Sequence, residues 1–432
     1  MKVCVLGLWH LGTVTASCLT LGGHHVTGLE FDEGVIAKLK RGEPPIFEPG
    51  LDDLVKKGIE TGLLKFSTNP AEAISETQVI WVSYDTPVDD DDYADVDYVI
   101  KRVSRLFPYL KNGQEVLISS QLPVGTSKRL EVMFAKARPG VKVSFSYSPE
   151  NLRLGKAISV FTHPDRVVIG IRTDSSRKVL SELLASFTDR IEWMSVESAE
   201  MTKHALNAFL ATSVTFINEI ASICEQVGAD AKEVERGLKS ESRIGPKAYL
   251  GPGGAFAGGT LARDITFLSL LGQQNSVPIH LIPAVRASND EQKNWPRRRL
   301  AQFLGELAGK TIAVWGLTYK PGTDTLRRSS AIELCQWLIK QGAHVQAHDP
   351  AVKSLPVQHA AIHMCVSPVE AVHNAHALVL ATEWPDYRNV AISEVISALH
   401  IPLVLDANRF LAASFEALSN VKYVTVGKAV SV

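Results

Sequence analysis

Lys2–Glu30, KVCVLGLWHLGTVTASCLTLGGHHVTGLE, decides the fold of this chain. Lys2 to Leu6 is a short apolar run of strand formers. Gly7 to Gly12 makes a glycine turn, TVTASCLTLGG has helical patterning, and HHVTGLE reads as a second strand ending in Glu30. Strand, glycine turn, helix and a strand with a terminal acid about 20 residues on form the dinucleotide-binding pattern. The turn places a pyrophosphate at a helix N-terminus, where unpaired N–H groups and the dipole favour anions. Gly7, Trp9, Leu11, Gly12 and Glu30 are therefore expected beside a cofactor. Glu30 accepts ribose hydroxyls and repels a 2′-phosphate, which selects NAD over NADP. Trp9 stands where G-x-G-x-x-G has its middle glycine, so its side chain must turn away or displace the cofactor. The competing reading is an α/β domain that has lost its dinucleotide.

Further strands are expected at Lys65–Ser67, Val79–Ser83, Glu115–Ser119, Ser144–Tyr147 and Val167–Ile171. Ligands face the C-terminal ends of strands in an open parallel sheet, which makes Thr86 and Gln121, in the strand-end loops, cofactor candidates. The acid run Asp89–Asp92 reads as a solvated loop. From Ser198 to Val227 a single helix runs without Pro or Gly and stops at Gly228. Lys203 and Asn207 lie at i and i+4 on one of its faces, a pairing that alone is common on any solvated stripe. A second α/β pattern begins at Lys310–Trp315, continues through the helix of SSAIELCQWLIKQG and the strand of AHVQAHDP, and ends with strands at Ala377–Ala381 and Leu403–Asp406. Pro296 with Arg297–Arg299 marks its boundary. The expected fold class is α/β: two doubly wound Rossmann-like domains, 1–197 and 299–432, joined by a helical dimerisation domain, 198–298.

Leu250–Asp264, LGPGGAFAGGTLARD, holds five glycines and one proline and reads as a loop, followed by a helix from ITFLSLL. A surface linker is normally polar; this one carries Phe256 and Leu261, which favours a packed active-site loop. Composition narrows the partners. The 432 residues carry a net charge of −1, with 45% hydrophobic and 21% charged side chains. That balance points to neither nucleic acid nor a membrane surface. No unbroken apolar run reaches the roughly 18 residues of a bilayer span. Cys4, Cys18, Cys224, Cys335 and Cys365 are scattered and form no metal spacing, so no metal is expected, and reduced thiols in a cytoplasmic protein are.

With GEPPIFEPGLDDL, PDRVVIG, AEMTKHALNAFLAT, FINEIA, SRIGPK, GLTYKPGTDTLRRS and TEWPDYR in order, the chain resembles the UDP-glucose/GDP-mannose dehydrogenase family over essentially its whole length. The resemblance implies NAD-dependent oxidation of the C6 hydroxyl of a nucleotide sugar to a carboxylate through an aldehyde, with a cysteine thiohemiacetal and thioester. It implies a homodimer built on the central helix. Carried over, it makes Lys203 and Asn207 stabilisers of the reacting oxygen, Asp264 the holder of a catalytic water and Glu150 the general base. Leu152, Arg243, Tyr249, Phe256, Lys320 and Arg388 would meet the nucleotide sugar, with Arg243 reaching in from the neighbouring subunit. Arg263 and Arg327 would lie near the cofactor.

The departures cluster at the reaction centre. Where the family loop reads G-G-x-C-F-P-K-D, this chain has Ala257 to Asp264, with Thr260 for the nucleophilic cysteine and Arg263 for the lysine. Gln121 replaces a threonine, Leu154 a second glutamate and Trp9 a glycine. A threonine hydroxyl is a far weaker acid than a thiol and forms no thioester. Three functions stay open: a nucleotide-sugar oxidoreductase, halting at the aldehyde or proceeding without covalent catalysis; a nucleotide-sugar-binding protein without turnover; and a related two-domain dehydrogenase for 6-phosphogluconate or a 2-hydroxyacid, which Lys320 and Arg388 disfavour.

Overall fold

The computed structural model describes residues 1–430 except 90–92, 151 and 258, so Asp90–Asp92 of the acid run and Gly258 of the glycine loop lie outside the described residues. The chain divides into two compact units, Met1–Leu206 and Asn207–Val432.

The first unit holds an eight-stranded sheet: β1 (Lys2–Leu6), β2 (His25–Leu29), β3 (Leu64–Ser67), β4 (Val79–Val82), β5 (Glu115–Ile118), β6 (Ser144–Tyr147), β7 (Val167–Ile171) and β8 (Ile191–Ser195). Their spatial order is β3-β2-β1-β4-β5-β6-β7-β8, parallel except between β6 and β7. Alternation along β1 sends Cys4 and Leu6 into one apolar cluster and Val3 and Val5 into another, as a sheet covered on both faces requires. The order reverses between β1 and β4, and the crevice at that switch point is where such sheets bind ligands.

The second unit repeats the plan with β9 (Thr311–Trp315), β10 (His344–His348), β11 (Ile362–Met364), β12 (Ala377–Leu380), β13 (Leu403–Asp406) and β14 (Lys422–Val424), all parallel in the order β11-β10-β9-β12-β13-β14. Ile312 and Val314 face one core, Ala313 and Trp315 the other. Trp295 and Leu300, from the helix Trp295–Leu304, join the core under this sheet. Pro296 falls in that helix's first turn, where its missing N–H costs nothing.

The long helix spans Val196–Val227, starting two residues earlier than its sequence pattern suggests, and Gly228 follows with φ +77°. It is long and apolar enough to cross a bilayer by length and composition, although no unbroken apolar run is, because its Ser and Thr residues dilute the average only slightly. Buried Glu200, Lys203, His204, Asn207 and Asn218 give it a packed polar side that lipid would not accept. The glycine loop is shorter than its composition suggests. Its helix begins at Thr260, not after Asp264, and runs to Gln274. Gly259, with φ +114°, makes the turn into it.

Candidate functional site

In the first unit the glycine turn follows β1. Gly7 has φ +92°, and a Cβ there would lie 2.8 Å from the Tyr84 ring. At Gly12 a Cβ would lie 1.6 Å from the carbonyl oxygen of Gly7, so neither position accepts a side chain. Trp9 differs. It precedes the helix His10–Leu21 with φ −80°, an ordinary conformation for any residue, and its side chain is about half exposed (47%). Leu11 is half-buried in the first turn. Glu30 is fixed by three donors: the Leu8 N–H at 3.1 Å, the Phe31 N–H at 2.7 Å and the Tyr84 hydroxyl at 3.3 Å.

Two candidates from separate strand ends meet directly: the Thr86 hydroxyl donates to the Gln121 carbonyl at 2.7 Å. Ser83 and Ser120, just beyond β4 and β5, are buried with hydroxyls that have no partner among the described residues. A turn with two positions that only glycine fits, a helix N-terminus and buried hydroxyls beyond β4 and β5 fit a bound dinucleotide.

The loop after β6 is anchored by a residue the sequence did not single out. Glu48, buried, accepts from the Gly155 N–H at 2.7 Å, the Ala157 N–H at 2.8 Å and His10 Nε2 at 2.9 Å. Within this loop Glu150 accepts the Leu152 N–H through its carboxylate, and its carbonyl accepts from Lys203 Nζ. Leu152 itself packs against the core. Glu200, fully buried on the long helix, accepts from Gly125 N–H at 2.6 Å and from the Ser127 N–H and hydroxyl, at the start of the helix Thr126–Ala137. A carboxylate is favoured at that end of a helix.

In the second unit Asn207 donates its side-chain amide to the Asp264 carboxylate, and both are buried. Asp264 lies one turn inside the helix that Thr260 opens. Thr260 is exposed and Arg263 half-buried. Phe256 packs against Ala208, Ala211, Ile265 and Val285.

A cavity of about 360 Å³ opens at the switch point of the second sheet. Thr318 and Lys320 reach it from beyond β9, Thr382 and Glu383 from beyond β12, and Asn408 from beyond β13. Gly316, φ +86°, lets β9 approach Thr382, which a Cβ would meet at 2.4 Å. Lys293 and Arg297 add positive charge to the lining, and Gly254, Ala255 and Ala257 of the glycine loop form one wall. Of the expected substrate residues in this unit, Lys320 lines the cavity and the others do not. Arg388 stacks its guanidinium 4.0 Å from the Phe410 ring centre, Tyr249 is exposed, and Arg243 is exposed and paired with Glu241 at 3.0 Å. Arg327 is exposed in the segment before the helix Ser330–Lys340.

The glycine pattern and the two α/β units have counterparts in known proteins. Residues 1–188 match the NAD binding domain of the UDP-glucose/GDP-mannose dehydrogenase family, 197–291 its central domain and 313–413 its UDP binding domain. The UDP-glucose 6-dehydrogenase of Pseudomonas aeruginosa is 33% identical over 99% of this chain and 98% of its own. That of Rhizobium meliloti is 34% identical over 99% of this chain and 100% of its own. Among solved structures, a UDP-glucose dehydrogenase from the archaeon Pyrobaculum islandicum aligns with a TM-score of 0.88 at 28% identity, covering 100% of this chain and 98% of that one. The chain therefore belongs to the UDP-glucose/GDP-mannose dehydrogenase family.

Proposed function

We propose that this protein is an NAD-dependent oxidoreductase that oxidises the C6 hydroxyl of a UDP-glucose-like nucleotide sugar and stops at the aldehyde or its hydrate. The observation that carries this reading is Thr260, exposed at the first position of the helix that holds Asp264, where the family has its nucleophilic cysteine. The five cysteines of the chain are all buried, so no native thiol replaces it.

The residues divide the work. The turn Gly7–Gly12 and Glu30 bind the dinucleotide, and NAD supplies the hydride acceptor. Thr86 and Gln121 position its nicotinamide end, with Arg263 and Arg327 near it. Lys320 holds the nucleotide sugar in the cavity; the family resemblance adds Leu152, Tyr249, Phe256 and Arg388, none of which lines that cavity. Glu150 takes the proton of the C6 hydroxyl, directly or through a water held by Asp264. Lys203 and Asn207 stabilise the developing oxyanion with a cation and an amide donor. These groups suffice for the first oxidation. The second passes through a thioester in the family, and a threonine cannot form one.

The assembly is a homodimer through the long helix, with Arg243 donated to the partner's site. Met201, Leu206, Phe209, Phe216, Ile223 and Val227 leave apolar side chains exposed along it. Ile217, on the same helix, is fully buried inside its own chain, and Leu210 and Ile220 are half-buried. The deciding experiment incubates the protein with NAD and a panel of UDP- and GDP-sugars, counts NADH by absorbance and identifies the product by mass spectrometry. One NADH per sugar and an aldehyde support the reading. Two NADH and a uronic acid overturn it. No NADH from any sugar that binds leaves the chain a nucleotide-sugar-binding protein.

A further inference from the structure

The glycine loop has no regular secondary structure from Gly251 to Ala257, yet its backbone is extensively satisfied by side-chain amides. Asn218 on the long helix accepts the Gly253 N–H at 2.9 Å and donates to the Gly254 carbonyl at 3.3 Å. Gln292 donates to the Gly253 carbonyl at 2.7 Å. Asn289 both donates to and accepts from Phe256 at 2.9 Å. These three amides are buried. Asn408 supplies a fourth from beyond β13: its Oδ1 accepts the Gly254 N–H at 2.7 Å.

Asn408 differs from the other three in bonding a carboxylate as well as the loop. A side-chain amide can present either its oxygen or its NH₂ to a neighbour, and only the oxygen accepts an N–H. Glu383 settles the choice by accepting the Nδ2 of Asn408, which leaves the oxygen for Gly254. The fit is close, since a Cβ on Gly253 would fall 1.8 Å from that same oxygen. We propose that Glu383 and Asn408 are a positioning pair that fixes the glycine loop as a wall of the nucleotide cavity, Glu383 acting through the orientation it imposes on the Asn408 amide. Both line the cavity together with Gly254. Burial, reinforced by Asp406, raises the Glu383 carboxyl above the usual carboxylate range, against the bond from Asn408 and the charges of Arg388 and Lys232. In either protonation state a carboxyl oxygen can accept from Asn408.

The ligand consequence rests on the nucleotide-sugar reading; the loop consequence does not. The test therefore measures both on the full-length protein: hydrogen exchange of the backbone amides of residues 250–257, and calorimetric affinity for UDP. It is run at mildly alkaline pH, where two facing carboxyl groups no longer share a proton. Asn408→Asp sets two carboxylates against each other in place of the Asn408–Glu383 bond, and their repulsion, pulling residue 408 off the Gly254 N–H, is expected to give about tenfold faster exchange at Gly254 with about tenfold weaker UDP binding. Adding Glu383→Gln restores a donor–acceptor pair and should recover both, a rescue that general damage to the fold would not give. Affinity for NAD should stay unchanged throughout. Should Asn408→Asp fail to fold, Asn408→Ala, which removes both bonds, must accelerate the same amides. Unchanged exchange in the single variant, or a double variant no better than it, overturns the pair. Faster exchange and rescue in a protein that binds no UDP leaves the pair standing and overturns the nucleotide reading.

Discussion

The Glu48 carboxylate lies 2.9 Å from the Nε2 of His10, and both side chains are buried. His10 is the first residue of the helix that begins at the glycine turn, and Glu48 also holds the Gly155 and Ala157 N–H groups. One carboxylate therefore ties the start of that helix to the loop carrying Glu150. Glu48→Ala leaves two backbone donors and an imidazole without their acceptor. A loss of about 3 kcal/mol or more is expected, because hydrogen bonds to a carboxylate contribute roughly 1.5–3 kcal/mol and the change leaves several buried donors unsatisfied at once. Urea unfolding measures it. A loss near the roughly 0.5–1.5 kcal/mol of an ordinary hydrogen bond would mean that water takes the carboxylate's place.

Thr260→Cys should shift the product from aldehyde towards acid and raise NADH per sugar from one towards two. Asn207→Ala in that background should slow both steps if, as proposed, its amide serves the reacting oxygen in each. Product mass and NADH count decide it; an unchanged product ratio would remove Thr260 as the cause of the halt.

Trp9→Gly should tighten NAD binding by up to about tenfold, or roughly 1.4 kcal/mol. The φ of −80° at this position means the backbone needs no glycine, so any gain comes from clearing the indole. If Glu30 sets the expected preference for NAD, Glu30→Ala should narrow it by removing a carboxylate that would repel a 2′-phosphate. Calorimetry with both cofactors reads the two effects. Equal NAD affinity in Trp9→Gly would place the indole clear of the dinucleotide already.

Phe209, 71% exposed, and Ile217, fully buried, lie on the same helix and should respond oppositely. Phe209→Asp should yield monomers with little change in the unfolding free energy of the chain. Ile217→Ala should destabilise by about 2–5 kcal/mol through the cavity it leaves. Light scattering and thermal unfolding separate them; a wild-type monomer at micromolar concentration would withdraw both the dimer and the donated Arg243.

The elements that could be read from the chain are those whose signal is local. Gly7, Gly12 and Glu30 fall within one strand–turn–helix–strand unit, and β1 and β9 are short apolar runs buried on both faces. Thr260 stood out because a neighbouring pattern gave it a place. Glu48, Glu200, Asn218, Asn289 and Asn408 gave no such signal. Each is a single polar residue whose partner lies tens to more than a hundred positions away, and on a helix or in a loop it looks like any solvated side chain. Strand β8, none of whose residues is fully buried, and the three-residue edge strands β11 and β14 are too short or too mixed to announce themselves. The start of the helix at Thr260 was hidden because Gly258–Gly259 and the polar Thr260 and Arg263 resemble a continuing loop.

The burial of every native cysteine gives the molecule a chemical silence that an experimenter can use. Burial pushes the Cys18 and Cys335 thiols up to about 12, with Glu48 adding to the effect at Cys18, and raises those of Cys4, Cys224 and Cys365 as well. Thiolates are scarce in all of them, so the folded chain should be inert to maleimides and haloacetamides. A cysteine introduced at the exposed position 260 would then be the one thiol that reacts. Its labelling rate would report occupancy of the reaction centre directly, without first stripping the protein of its own sulfur.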